Sequence, residues 1–182
     1  LIQPIKLDTI FAAANRASLT TGIAGLREWQ RLVSASDLYA HAYVESTADE
    51  GDSETTAAAL VFLREFQPNL LLVQFSQVES AGSQFGARSE QYEAAALRCD
   101  EYLSRIVSAM DLNRSVLLVL TSHGVLDDGT HGGAEVSPRL TPFVMAGQGV
   151  VAGSYRAIAA MDVAPLVSAL LAGAVAIGLL AP

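Results

Sequence analysis

The residues of this 182-residue chain that could do chemistry gather in two short stretches. The first is Ser76-Gln77-Val78-Glu79-Ser80-Ala81-Gly82-Ser83. The second is Thr121-Ser122-His123-Gly124, followed by Asp127, Asp128 and His131-Gly132-Gly133. Two of the three histidines therefore fall in the second stretch. An imidazole titrates near neutrality and serves as a general acid, a general base or a metal ligand, and glycines beside it let backbone approach closely. A satisfied hydrogen bond in a capped loop is the structural alternative for either ring. The third histidine, His41, falls in an alternating segment and reads as a half-buried strand residue rather than a ligand.

Both stretches follow runs that read as strands. Leu70-Leu71-Leu72-Val73-Gln74-Phe75, reached through Pro68-Asn69, is a short apolar run that predicts a buried strand. Val116-Leu117-Leu118-Val119-Leu120 predicts the central strand. Ligands of open α/β sheets collect beyond the carboxyl ends of the strands, where both polar stretches fall. Further strands are expected at residues 18–24, 39–44 and 141–146, the last with Pro142 at its start, where no ladder donor is needed. A short helix should follow Asp8 as its N-cap. Another, capped by Asp52 or Ser53, should run to about Phe66. A long one from Ser89 to about Met110 places Tyr92, Ala96, Cys99, Leu103, Ile106, Val107 and Met110 on one apolar face. A last one, capped by Asp162, contains Val163, Leu166, Val167 and Leu170, with Pro165 in its first turn. This alternation predicts a single α/β domain over residues 1–182 with a mostly parallel sheet.

Composition narrows the field. Hydrophobic residues make up 51%, enough for a real core and too many for a disordered chain. Lys and Arg total 11 against 19 Asp and Glu, a formal net charge of -8, which argues against a nucleic-acid binder. The single cysteine, Cys99, makes no internal disulfide or thiolate cluster and reads as a buried, inert thiol. The start carries no signal-peptide pattern and no methionine, so a piece of a longer protein is expected. In residues 164–182 Ser168 is the only polar side chain. Pro165, Gly173 and Gly178 interrupt that stretch, so it reads as a buried terminal helix with an apolar tail. The second reading is the front edge of a membrane attachment, which would make the protein membrane-associated or extracytoplasmic.

The order of these words carries a resemblance. Glu79-Ser80-Ala81-Gly82-Ser83, Ser122-His123-Gly124 and His131-Gly132-Gly133 stand where the alkaline phosphatase superfamily has D-x-x-G-H, D-H-G and H-G-G. Thr141-Pro142-Phe143-Val144-Met145-Ala146-Gly147-Gln148-Gly149-Val150 resembles its later strand and glycine turn. Asp162-Val163-Ala164-Pro165-Leu166-Val167-Ser168-Ala169-Leu170-Leu171 resembles its D-I-A-P-T-x-x-x-L-L helix. Over residues 70–171 the chain is similar to the C-terminal half of that superfamily, most closely the type I phosphodiesterase and nucleotide pyrophosphatase branch. Residues 1–69 carry no decisive motif.

The resemblance implies a three-layer α/β/α sandwich and the chemistry of a phosphoric ester hydrolase. In such enzymes two metal ions, usually zinc, polarise the phosphate and activate a Ser or Thr nucleophile or a water. Carried over by position, one site would hold Glu79, Ser83 and His131, and the other Ser122 and His123. Glu79, His123 and His131 are thus the candidate metal ligands, for zinc or manganese if any ion is bound. Serine is a poor zinc ligand, and a catalytic zinc normally has three protein ligands, so each site falls short. No nucleophile is recognisable: Thr20 and Thr21 read as strand residues, Asp8 as a helix cap, and Asp127 and Asp128 as a solvated turn. Two readings follow. In one, the domain is a catalytically impaired relative, a pseudoenzyme that binds or scaffolds, with a phosphate ester as its ligand. In the other, it is an active phosphoesterase or phosphotransferase completed by upstream sequence, another subunit or the Asp127-Asp128 loop. A dinucleotide-binding domain ranks lower, because no G-x-G-x-x-G turn follows the first strand.

Overall fold

The computed structural model describes residues 8–45, 49–131 and 135–180 of the chain. Strand β1 (Thr21–Leu26) lies between β2 (Ala40–Val44) and β3 (Leu70–Val73), parallel to both. Pleating sends alternate residues to opposite faces, and both faces are covered by helices. One face offers Ala24, Ala40, Ala42, Leu71 and Val73. Against it pack Ala58 and Ala59 of α3 (Asp49–Val61), Phe62 and Leu63 just after it, and Ile106 of α5 (Glu90–Ser108). The other face offers Ile23, Tyr43, Leu70 and Leu72 to Ile10 and Phe11 of α1 (Ile10–Arg16) and to Trp29 and Leu32 of α2 (Trp29–Leu32). Ile23, fully buried at the centre, contributes about 1.5–3 kcal/mol by leaving water. Helix, sheet and helix give the expected three-layer α/β/α sandwich.

Several local expectations shift for identifiable reasons. Thr9, not Asp8, caps α1 by accepting from the Ala12 N–H, while Asp8 pairs with the Arg16 guanidinium, which holds its carboxyl below the usual range. The strand expected at residues 18–24 starts at Thr21, because Ser18 takes a left-handed backbone (φ 61°) that ends α1. Helix α3 already begins at Asp49, so Asp52 and Ser53 lie inside it and cap nothing there. It ends in a π-helical turn, Phe62–Phe66, closed by left-handed Gln67 (φ 43°) before Pro68. Ser89 caps α5 as expected, accepting from the Tyr92 N–H. Ala95 rather than Ala96 is the buried alanine of its inner face.

The larger correction concerns β4 (Val116–Leu120). It is not central: among the described residues it pairs only with β5 (Phe143–Gly147), antiparallel, and all of its residues stay partly exposed. Gly147 ends β5 with φ 119°, where a Cβ would stand 2.1 Å from the Ser115 carbonyl oxygen, so the turn requires glycine. Helix α6 (Val163–Leu180) follows a 3-10 turn in which Asp162 accepts from the Ala159 N–H rather than capping α6. Val163, Leu166, Val167 and Leu170 form its shielded side, and Pro165 sits in its first turn. No helix, among the described residues, is long and apolar enough to cross a membrane.

Candidate metal centre

The first side of the site grows out of β3. Four residues after Val73 the chain enters α4 (Gln77–Phe85), a helix where the sequence had read only a polar strand end. A buried carboxylate from α3 receives its first turn. Asp52 Oδ1 accepts from the Ser76 N–H at 2.8 Å and the Ser76 hydroxyl at 3.2 Å, and Oδ2 accepts from the Gln77 N–H at 3.0 Å. Burial raises the Asp52 pKa, opposed by these hydrogen bonds. Glu79 stands in the first turn of α4 and Ser83 one turn later on the same face. The Ser83 hydroxyl donates to Glu79 Oε1 at 2.9 Å.

The second side is the loop after β4. Glycines let it lie against α4 and the turn that follows. A Cβ on Gly82 would meet the Tyr92 ring at 3.0 Å and Val125 at 3.1 Å. Gly86 (φ 86°) faces the Asp127 carbonyl, where a Cβ would come to 2.1 Å, and Gly129 (φ 83°) faces that of Ser83, at 2.6 Å. The Ala87 N–H donates to the Leu126 carbonyl at 3.1 Å, and the Gly124 N–H to the Pro138 carbonyl at 2.8 Å. These backbone contacts hold the loop so that His123 and His131, eight positions apart, meet.

The rings of His123 and His131 stack with centroids 4.2 Å apart and planes 17° apart. His123 Nδ1 lies 3.9 Å from Glu79 Oε2, and His131 Nε2 lies 3.6 Å from Glu79 Oε1. One ligand atom from each of the three residues falls within 4.8 Å of the others. All three are reachable from solvent, His123 least so at 32% side-chain exposure. The sequence had divided these residues between two sites; the fold gathers them into one group. Two neutral imidazoles and a carboxylate are a donor set found around catalytic zinc, which keeps a further position open. The Ser83 hydroxyl on Glu79 is an outer partner of the kind that orients such a donor, and the Gly124 carbonyl, 3.1 Å from His123 Nδ1, would accept a hydrogen bond from that nitrogen and leave Nε2 of His123 as its ligand atom.

The other candidates lie elsewhere. Thr20 and Thr21 sit at the opposite end of the sheet, Thr20 bonded to Asn69 and Thr21 to the Asp37 carbonyl. Asp127 pairs with Arg88 at 3.0 Å, and Asp128 accepts from the Thr130 N–H and hydroxyl, which lower its pKa. Ser122 is exposed beside His123. His41 is exposed on β2 and stacks on Tyr43 at 5.1 Å. Gly132 and Gly133 lie outside the described residues. Sequence reading missed Asp52 as a site residue, because its partners are 24 and 25 positions away and nothing local marks them.

A family model for type I phosphodiesterase / nucleotide pyrophosphatase matches residues 11–136, more than half the chain. The chain belongs to this family. The match takes in Glu79, His123 and His131 together, and begins well before the motifs that carried the resemblance. Residues 137–182, with the two later motif-like stretches, lie outside it. Among solved structures, the PH0037 protein from Pyrococcus horikoshii shares the fold, with a TM-score of 0.64 at 14% identity. The alignment covers 87% of this chain and 50% of that one, so this phosphodiesterase-family chain spans half the length of that protein. No curated protein matches it.

Proposed function

We propose that this phosphodiesterase-family domain binds a phosphate ester through one divalent metal ion, zinc or manganese, held by Glu79, His123 and His131. Turnover is impaired. The observation that carries this reading is the three-residue group itself: two imidazoles and a carboxylate within 4.8 Å, open to solvent. An ion there would supply a Lewis acid for phosphate oxygens. The impairment follows from Ser83 and Ser122, which stand where the family pattern has an imidazole and a carboxylate. Neutral hydroxyls leave a second ion without charge or donors. The stacked imidazoles lie in nearly parallel planes, so binding turns at least one ring to make the lone pairs converge.

A second reading, an active two-metal phosphoesterase completed by other polypeptide, is favoured by one observation: the solved relative is twice as long as the part this chain covers. Asp127 pairs with Arg88 and Asp128 with Thr130, and neither carboxylate joins the Glu79, His123 and His131 group. Metal analysis of the purified protein, with an aryl phosphodiester assay, separates the two. The proposed reading expects one ion per chain, lost in Glu79→Gln and in His131→Ala, and hydrolysis at background. Two ions with chelator-sensitive hydrolysis would establish the second reading. No bound ion in the wild type would overturn both.

A further inference from the structure

We propose that Asp52 is the positioning residue of the Glu79–His123–His131 group: from α3 it fixes the first turn of α4 and thereby where Glu79 meets the two imidazoles. The metal arm of the test rests on the functional reading above; the geometric arm does not. Asp52 is 0% exposed. A carboxylate removed from water must be met by a cation or by hydrogen bonds. Here both oxygens are met by donors from the start of one helix, the Ser76 and Gln77 N–H groups and the Ser76 hydroxyl. The positive end of the α4 dipole faces the same carboxylate.

Ser76 and Gln77 are themselves buried, at 6% and 8% exposure, so no water replaces a lost bond easily. Gln77 is gripped from a third helix as well: Arg98 of α5 donates to its Oε1 at 3.3 Å and stands 3.4 Å from Asp49. Glu79 follows two residues later, less than one helical turn away. Its oxygens stand 3.6 and 3.9 Å from the ring nitrogens, so a shift of the turn by about one ångström closes or opens the group. Asp52 itself touches neither imidazole by any hydrogen bond among the described residues.

The test compares Asp52→Asn with Thr56→Val. Thr56 is equally buried on α3 and its hydroxyl donates to the Asp52 backbone carbonyl at 2.7 Å, so its loss weakens α3 while leaving the Asp52 carboxylate in place. Two quantities are read: Zn2+ affinity by competition with a chromophoric chelator, and the imidazole ring-proton NMR signals of His123 and His131 at one fixed pH without metal. Asp52→Asn should weaken Zn2+ binding roughly 10- to 100-fold and move both imidazole signals. Thr56→Val should leave both at wild-type values. An Asp52→Asn protein that loses stability but keeps wild-type imidazole signals overturns the proposal. If wild type takes up no Zn2+, the metal reading fails separately and the imidazole signals alone decide the positioning role. If Asp52→Asn does not fold, Ser76→Ala replaces it, removing only the 3.2 Å hydroxyl contact. Moved imidazole signals then support the proposal, and unmoved ones overturn it.

Discussion

Glu79 and Ser83 show how little separates a candidate metal ligand from an ordinary helix pair. Spaced four apart on α4, they make a hydrogen bond that any Glu and Ser at this spacing could make. What distinguishes them is the loop laid across them. Asp52 and Cys99 are likewise unusual through their surroundings. Burial, with the negative charges of Asp52 and Asp100, pushes the Cys99 thiol up to about 11. Burial raises Asp52 as well. Both are acids that hold their proton more tightly in the folded state, so their contribution to stability is full below the unfolded pKa. It is lost as pH rises, above 3.8 for Asp52 and between 9.0 and about 11 for Cys99. Denaturant midpoints should therefore fall from pH 8 to pH 11, and Cys99→Ala should flatten that decline. At pH 8 the folded thiol should alkylate about 100-fold more slowly than in the unfolded chain, because so little thiolate is present.

At the level of elements, the loop after β4 is placed by glycines rather than by side chains. Gly86→Ala and Gly129→Ala each put a Cβ against a carbonyl oxygen, at 2.1 and 2.6 Å, on a backbone with positive φ. Each should cost about 1–3 kcal/mol and weaken metal binding, because α4 and the loop separate. Gly149→Ala is the control: its φ is 76° but nothing lies within 4 Å, so it carries the left-handed backbone penalty of about 1–2 kcal/mol without a carbonyl clash and should leave metal binding alone. Urea unfolding and zinc titration of the three variants check this. These elements also mark what the sequence could disclose. Apolar runs at Leu70–Val73 and Val116–Leu120 revealed strands, and the Ser89 cap and Asp162 region bounded helices within a residue or two. Helix α4 escaped notice because its residues are polar and its cap, Asp52, comes from another helix. The three candidate ligands were legible only through motif order. Their union in one group was not, because it depends on backbone approach at Gly82, Gly86 and Gly129, which no local pattern encodes.

Taken whole, the molecule has two sheets of unequal protection. Strand β1 is flanked by partners on both edges and helices on both faces, and Ile23 and Ala24 are fully buried. Among the described residues the β4–β5 pair has no third strand and is half-exposed, with Leu120 at 45% and Val144 at 53% exposure. A two-stranded sheet is marginal by itself. Amide hydrogens of β4 and β5 should exchange well before those of β1, as mass spectrometry of peptides from each would show. Glu79 belongs to the well-protected sheet through β3 and α4, while His123 and His131 ride on the stretch joining β4 to β5. An ion grasped by all three would act as a rivet between a firm half and a yielding one. At a hundredfold excess over its Kd it would add about 2.7 kcal/mol, felt first by the yielding half, so chelation should loosen the β4–β5 pair while the parallel strands stay shut.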